Sequence, residues 1–206
     1  MKITIIGASR GTGLATAKEA LARGHEVAGI ARNPADMKHP KLTWFAGDAR
    51  DANVLAHALA GADASVVALS VRDPWNPTTL FSEAQAALLD ANGPKRSILV
   101  TGLGAGDSKG HNGWFYDRVI FPLVLAKSYV DKDRAEALLQ KSNLDWTIVR
   151  PVHLTNGPKK NKIETLIGVN NYRYGDISRA DVGTFILDCL EQNKFLKQAV
   201  GAADKK

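Results

Sequence analysis

A glycine-rich turn near the start of the chain restricts the fold more than any other feature. An apolar run at residues 3–6 is followed at once by Gly-Ala-Ser-Arg-Gly-Thr-Gly, residues 7–13, and then by a helical pattern. The unpaired N–H groups and the positive dipole end of such a helix favour a bound phosphate group. Gly7 lets the chain reverse, Gly11 lets a ligand approach the backbone, and Gly13 lets the helix pack on the strand. The turn therefore predicts a dinucleotide-binding unit.

The alternation of apolar and helical segments continues along the chain. Strand-like segments occupy residues 26–31, 42–46, 64–69, 98–101 and 146–149, and helical patterns occupy residues 12–23, 51–59, 78–92, 121–142 and 178–190. Residues 157–174 show no strong period, and a short last strand is expected around residues 198–200. This alternation predicts a single α/β domain over residues 1–206, a doubly wound Rossmann-type parallel sheet in the order 3-2-1-4-5-6 with helices on both faces.

Composition argues against several classes of protein. The chain has 206 residues and one cysteine, Cys189, so neither an intrachain disulfide nor a thiolate metal cluster is expected, and no metal site is predicted. Its net charge of +6 comes from scattered basic residues without interleaved aromatics, which is not typical of a nucleic-acid groove. The apolar runs are strand-sized and no signal peptide is recognised, so we expect a cytoplasmic monomer or homodimer without a membrane span.

Two arginines bear on the choice of cofactor. The second strand ends at Arg32, where an NAD-binding chain places a carboxylate for the ribose 2′-hydroxyl. Together with Arg10 inside the turn, Arg32 can form a guanidinium pair around a 2′-phosphate. The sequence therefore predicts NADP(H) in preference to NAD(H), the alternative being that both arginines are solvated loop residues.

Loops at the carboxyl ends of the strands are expected to build the pocket, because these ends meet at one edge of a parallel sheet. Asp48 lies either where adenine rests or in a simple turn. Residues 102–113 are too rich in glycine to be regular and suggest a mobile lid. Segments 70–77, 102–116 and 151–175 are predicted to form the substrate pocket. Its predicted residues are Arg72, Trp75, Gly102, Trp114 and Tyr116.

The chain resembles the atypical short-chain dehydrogenase/reductase superfamily, in particular small members related to biliverdin/flavin reductase and to nitrogen-metabolite-regulator-like proteins. The resemblance covers nearly the whole chain and is carried by residues 7–13, 32, 47–48, 132–139, 144–151 and 178–182. It implies that Lys132 holds the nicotinamide ribose and that residues 151–154 pass along the nicotinamide. The full set of expected cofactor contacts is Gly7, Ser9, Arg10, Gly11, Thr12, Gly13, Arg32, Asp48, Ala49, Leu69, Ser70, Val71, Thr101, Lys132, Pro151, His153 and Leu154.

The chain departs from the superfamily pattern at the catalytic positions. The usual serine after the fifth strand and the usual tyrosine four residues before the lysine correspond to Gly102 and Ser128. Thr101 and Tyr129 stand one residue away, and with Lys132 they are the predicted catalytic residues. A tyrosine beside an ammonium group can deliver a proton to a reduced carbonyl. One residue nevertheless rotates a helical side chain by about 100°.

Three functions are compatible with these features. The first is an NADPH-dependent reductase that passes hydride to a flat or aromatic acceptor, such as a quinone, a flavin or a polyketide-like carbonyl. The second is a non-catalytic NADP-binding sensor that binds a protein partner, which the missing serine favours. The third is an NAD(P)-dependent epimerase or dehydratase that returns the hydride to the same substrate.

Overall fold

Strands and helices alternate along the chain as the sequence predicts. The computed structural model describes residues 1–111, 114 and 116–205, with every side chain in those ranges except those of Tyr116, Ile120 and Val169. The α-helices are α1 (Gly11–Ala22), α2 (Ala52–Leu59), α3 (Leu80–Asp90), α4 (Ala126–Gln140) and α5 (Arg179–Glu191). The strands are β1 (Lys2–Ile6), β2 (Glu26–Ala31), β3 (Leu42–Ala46), β4 (Ala64–Val67), β5 (Arg96–Val100), β6 (Asp145–Pro151), β7 (His153–Thr155), β8 (Ile163–Leu166), β9 (Asp176–Ser178) and β10 (Gln198–Asp204).

The central sheet has the order β3-β2-β1-β4-β5-β6-β10-β8. Neighbouring strands from β3 to β10 are parallel, and β1 lies between β2 and β4, with Ile5 opposite Gly29 and Val66. This confirms the predicted doubly wound order, with β10 as the extra strand. β8 adds an antiparallel edge strand within residues 157–174, where no strand is predicted. Four residues pairing at a sheet edge need no strong period of their own, so the sequence pattern does not indicate them.

Alternate positions of the central strands build a core on each face of the sheet. Ile3 and Ile5 of β1 pack in one core with α1 and α5, whereas Ile6 packs in a second core with α2, α3 and α4. Successive side chains of a strand point to opposite faces, and a strand covered on both faces becomes almost wholly apolar. None of the helices in the part of the chain described is long and apolar enough to cross a membrane.

A buried carboxylate fixes α3 against α4. Asp131 of α4 is fully buried and accepts hydrogen bonds from the backbone N–H of Phe81 at 2.8 Å and from the Ser82 hydroxyl group. Phe81 lies in the first turn of α3, where N–H groups have no partner within the helix. The side chain of Asp131 thus caps a different helix from its own. This contact holds Phe81 beside the face of α4 that borders the carboxyl edge of the sheet.

The glycine-rich segment after β5 is packed against the domain over its first half. Ser108 is fully buried, and its hydroxyl accepts from the Gly104 N–H at 2.9 Å. The Gly106 N–H donates to Asp133 at 2.8 Å, and Asp107 pairs with the buried Arg150. The mobile lid stays a prediction: residues 103–108 are packed in the structure, whereas positions 112 and 113 lie outside the described residues. A π-helical segment, Tyr116–Leu125, then leads into α4 and contains Pro122.

Candidate functional site

Adjoining cavities form one crevice along the carboxyl ends of the parallel strands. The β2 cavity, of about 710 Å³, contains Arg10, Arg32 and Asp48. The central cavity, of about 590 Å³, shares Arg10 with the β2 cavity and extends to Lys132. The β6 cavity, of about 260 Å³, lies beside β6 and shares Lys132 and Arg179 with the central cavity. These shared walls allow one elongated ligand to lie across all of them, at the point where the strand order reverses.

The glycine turn forms the floor of this crevice. Gly7 has a φ of +91°, and a Cβ there would lie 2.6 Å from the Ala68 backbone oxygen. A Cβ on Gly13 would collide with the Gly7 carbonyl group, so Gly13 is a packing glycine and does not line the crevice. The N-cap residue of α1, Arg10, makes no side-chain capping hydrogen bond, and the first turn contains no acidic residue. The N-terminal end of α1 is thus suited to a phosphate group rather than to a capping carboxylate.

The structure places both predicted selector arginines in the β2 cavity. Arg10 and Arg32 are exposed, and Arg10 Nη2 lies 3.5 Å from the Ser70 backbone oxygen. No ion pair involves either guanidinium among the described residues. Asn33 adds an amide to the same wall. A phosphorylated ribose therefore fits this cavity chemically.

Asp48 is held by an arginine that the sequence analysis missed. Arg50 donates from Nε to Asp48 Oδ1 at 2.8 Å and from Nη2 to Oδ2 at 3.0 Å, and it also pairs with Glu83 at 2.9 Å. The Arg50 hydrogen bonds lower the pKa of Asp48 to about 2. The carboxylate is therefore ionised and fixed in orientation at the wall of the β2 cavity, next to the buried Ala49.

Lys132 is anchored between two rings at the junction of the central and β6 cavities. Its Nζ donates to the Thr101 backbone oxygen at 2.9 Å and lies 4.2 Å from the ring centroid of Tyr129 and 5.5 Å from that of Phe81. Burial lowers the pKa of the ammonium group to about 8, against the opposing effect of the nearby Glu136 and Asp133. Burial disfavours the charged form of Lys132. Contact with an anion or with a ribose hydroxyl group would offset this effect and favour the ammonium form.

Tyr129 faces the site although it stands one residue from the superfamily position. It is buried, and a Cβ on Gly102 would lie 2.5 Å from its hydroxyl oxygen, so only a glycine fits against this phenol. Tyr129 and Lys132 share a helix face because residues three apart are neighbours on a helix. Ser128, at the usual tyrosine position, donates to the Leu125 carbonyl group at 3.0 Å.

The Thr101 hydroxyl group is directed away from the crevice. It donates to Glu136 Oε1 at 2.6 Å, and Glu136 also accepts from Arg150 Nη2 at 2.6 Å. Hydrogen bonds to Glu136 and Asp107 outweigh the effect of burial and raise the pKa of Arg150. The prediction of Thr101 as a catalytic side chain is thus corrected, because its proton is committed to Glu136 and only its carbonyl group contacts Lys132.

Most of the remaining predicted residues line the crevice, and two of the predicted aromatic residues do not have that role in the described structure. Those that line the crevice are Ser9, Gly11, Thr12, Leu69, Ser70, Val71, Arg72, Gly102, Pro151, His153 and Leu154. His153 is exposed at the mouth of the β6 cavity, with Nδ1 2.8 Å from Asp176 Oδ1. Trp75 and Trp114 are 53% and 74% exposed and line none of these cavities, so they do not form the predicted aromatic wall. The side chain of Tyr116 lies outside the described residues.

Residues that the sequence analysis did not name individually also reach the crevice, and two of them, Asn156 and Tyr174, belong to the predicted segment 151–175. Phe81 and Asn156 line the central cavity, Tyr174 lines the β6 cavity, and Arg179 lines both. Ser178, the N-cap of the last helix, accepts a hydrogen bond from the Asp181 N–H at 3.0 Å. The cap makes Arg179 the first residue of a helix that begins at the carboxyl edge of the sheet. This position is the one local signal in the sequence that indicates Arg179 as a crevice residue.

Comparison with known proteins identifies the ligand class of this crevice. A family described as NAD(P)H-binding matches residues 7–193. ChuY from Escherichia coli O157:H7, described as an anaerobilin reductase, is 25% identical, with a TM-score of 0.78 over 100% of this chain and 98% of that chain. A short-chain dehydrogenase/reductase from Veillonella parvula in complex with NADP is 22% identical, with a TM-score of 0.82 over 98% of this chain and 94% of that chain, and it shows the same fold.

Curated relatives match over shorter stretches. An uncharacterized sugar epimerase from Bacillus subtilis is 33% identical over 100 residues, which are 48% of this chain and 41% of that protein. An uncharacterized protein of Mycobacterium tuberculosis is 27% identical over 150 residues, which are 73% of this chain and 14% of that protein. The chain thus spans less than half the length of these curated relatives.

Proposed function

Because the chain belongs to the NAD(P)H-binding family, we propose that it is an NADPH-dependent reductase that passes hydride to a flat or aromatic small-molecule acceptor. Quinones, flavins and polyketide-like carbonyl compounds are the acceptors to test. The observation that carries this proposal is the position of Lys132 and Tyr129 at one end of a crevice whose other end holds Arg10 and Arg32. The description of ChuY as a reductase agrees with it.

The residues of the crevice fit the successive parts of NADPH. Arg10 and Arg32 would hold the 2′-phosphate, the α1 end of the turn would face the diphosphate, and Lys132 would hold the nicotinamide ribose. When bound, the cofactor supplies the hydride. Tyr129 lines the β6 cavity beside Gly102, so its hydroxyl group would donate the proton to an acceptor placed there.

Incubation of the purified protein with NADPH and a panel of quinones, flavins and ketones tests the reaction. We expect acceptor-dependent loss of NADPH absorbance and the stoichiometric release of NADP. Tyr129→Phe should slow the reduction of ketones, which need a proton, more than that of flavins, which exchange protons with solvent. Tight NADPH binding without turnover of any acceptor would contradict a reductase and favour the non-catalytic sensor.

An epimerase is the second candidate, and the description of the Bacillus subtilis relative favours it. An epimerase returns the hydride to its own substrate, so its cofactor is regenerated in each cycle. Accumulation of oxidised cofactor in proportion to product would exclude this candidate. Isomerisation of a sugar nucleotide with only catalytic cofactor would establish it.

Cofactor preference depends on the β2 cavity. We expect Arg32→Asp to weaken NADPH binding by more than tenfold, because a charge-assisted pair with a phosphate is lost and a repulsive charge is introduced. NADH binding should change by less than threefold. Fluorescence titration of both cofactors measures this, with Lys95→Asp at the amino end of β5 as the control for net charge. Equal affinities for NADH and NADPH in the unmutated protein would refute the assignment.

A further inference from the structure

Arg179, the first residue of α5, lies beside the glycine turn at the wall of the crevice. Its Nε is 3.8 Å from the position that a Cβ would occupy on Gly11. Its Nη1 donates to Asn156 Oδ1 at 2.8 Å and to the Leu154 backbone oxygen at 3.3 Å. Both acceptors are neutral, so they orient the guanidinium group without cancelling its charge.

Neighbouring basic side chains are neutralised, whereas Arg179 is not. Lys159 pairs with Glu19 at 2.9 Å, and Arg173 pairs with Glu164 at 2.5 Å. Within the ranges that the structure describes, no carboxylate lies in ion-pair distance of Arg179. A fixed guanidinium group without a carboxylate partner, at the wall of a ligand crevice, is arranged to meet an anion.

The position of Arg179 along the crevice identifies which anion it meets. Arg32 borders only the β2 cavity, Arg10 borders the β2 and central cavities, and Arg179 borders the central and β6 cavities. Arg179 therefore lies too far along the crevice to share the 2′-phosphate assigned to Arg10 and Arg32. It lies beside Gly11, at the N-terminal end of α1, where the diphosphate bridge of a dinucleotide is expected.

We propose that Arg179 binds the diphosphate bridge of the cofactor beside the glycine turn, with Asn156 as the residue that positions its guanidinium group. The bridge would then contact both the backbone N–H groups at the start of α1 and the side chain of Arg179. Because Leu154 and Asn156 are tied to the same guanidinium group, binding would also fix the segment that passes along the nicotinamide. This inference rests on the cofactor-binding half of the proposed function and is independent of the acceptor.

Fluorescence or calorimetric titration of Arg179→Gln in the full chain tests the proposal. We expect NADPH and NADH to lose affinity by the same factor, about tenfold or more, because the diphosphate is common to both. Adenosine 2′-monophosphate, which lacks both phosphates of the bridge, should bind to the variant within twofold of its affinity for the unmutated protein. Arg179→Lys should recover part of the loss, and Asn156→Ala should weaken both dinucleotides by a smaller factor.

Arg173→Gln is the matched control, since it removes the same charge from a residue that borders none of the cavities in the crevice. Unchanged NADPH affinity in Arg179→Gln would overturn the proposal. An equal loss for adenosine 2′-monophosphate would also overturn it, because the arginine would then act on the phosphorylated adenosine and not on the bridge. An effect confined to the KM of an anionic acceptor would assign Arg179 to the substrate instead. A protein that binds cofactor as expected but reduces no acceptor would refute only the reductase function.

Discussion

Substitution of Glu136 by glutamine is expected to lower the free energy of unfolding by about 3 kcal/mol, because it leaves a buried guanidinium group without its counter-charge. The side chains of Arg150 and Glu136 are only 1% and 2% exposed. Glu136 Oε1 accepts from Arg150 Nε at 3.1 Å and from the Thr101 hydroxyl group, and Oε2 accepts from Arg150 Nη2. Each of these donors loses a charged acceptor in the variant.

The remaining partners of Arg150 cannot compensate for this loss. Asp107 also pairs with it, but that carboxylate is 62% exposed and is therefore screened by water. The Tyr172 hydroxyl lies 3.3 Å from Arg150 Nη1 and supplies no charge. Burial raises the pKa of Tyr172, so the phenol stays neutral over the range in which proteins are handled. Glu136 thus neutralises most of the charge of the Arg150 guanidinium group.

Chemical denaturation of Glu136→Gln beside Glu164→Gln measures this effect with a matched control. Glu164 pairs with Arg173 at the surface, where each side chain is about one-third exposed, so the same substitution should cost less than about 1 kcal/mol. Similar losses in the two variants would show that the buried pair contributes no more than a surface pair. A double variant, Glu136→Leu with Arg150→Met, should recover part of the loss, because no isolated charge then remains buried.

Features whose determinants are adjacent in the sequence were predictable. The glycine turn is specified within residues 7–13, and the strand order follows from the alternation of strands and helices through right-handed crossovers. Lys132 and Tyr129 were identified through the family resemblance, and their spacing of three residues puts them on one helix face. These parts of the fold and site depend on local chemistry, which a single sequence contains.

Features that depend on long-range packing were not predictable. The Thr101 hydroxyl group is committed to a carboxylate 35 positions away in the sequence, which no local pattern indicates. Arg50 meets Asp48 through the placement of a loop, and Arg179 reaches the crevice through the placement of α5. The N-cap of α5 is a local signal for Arg179, whereas no such signal marks Arg50. The aromatic wall of the substrate pocket was also hard to predict. Trp75 and Trp114 are exposed, whereas Phe81 lines the crevice although it belongs to an ordinary helical pattern.

Substitution of Lys132 by methionine is expected to lower kcat/KM for NADPH by about 100-fold, as a charge-assisted hydrogen bond worth about 3 kcal/mol is lost. Methionine keeps the length and the apolar contacts with Tyr129 and Phe81, so the fold should persist. Lys127→Met, on the exposed side of the same helix, is the control and should retain the unmutated value. If Lys132→Met bound and used NADPH normally, the lysine would have only a packing role.

The pH dependence separates a charged lysine from a merely structural one. Burial places the pKa of Lys132 at about 8, so the ammonium form predominates below that pH and is lost as the pH rises through it. The anionic cofactor favours the ammonium form, and kcat/KM reports the free enzyme, so we expect kcat/KM for NADPH to fall on the alkaline side of about pH 8. In Lys132→Met this alkaline fall should be absent. In Lys132→Arg it should also be absent, with activity above that of Lys132→Met, since a guanidinium group keeps its proton throughout this range. An alkaline fall that persists unchanged in both variants would assign the titration to another group and leave Lys132 without the proposed role.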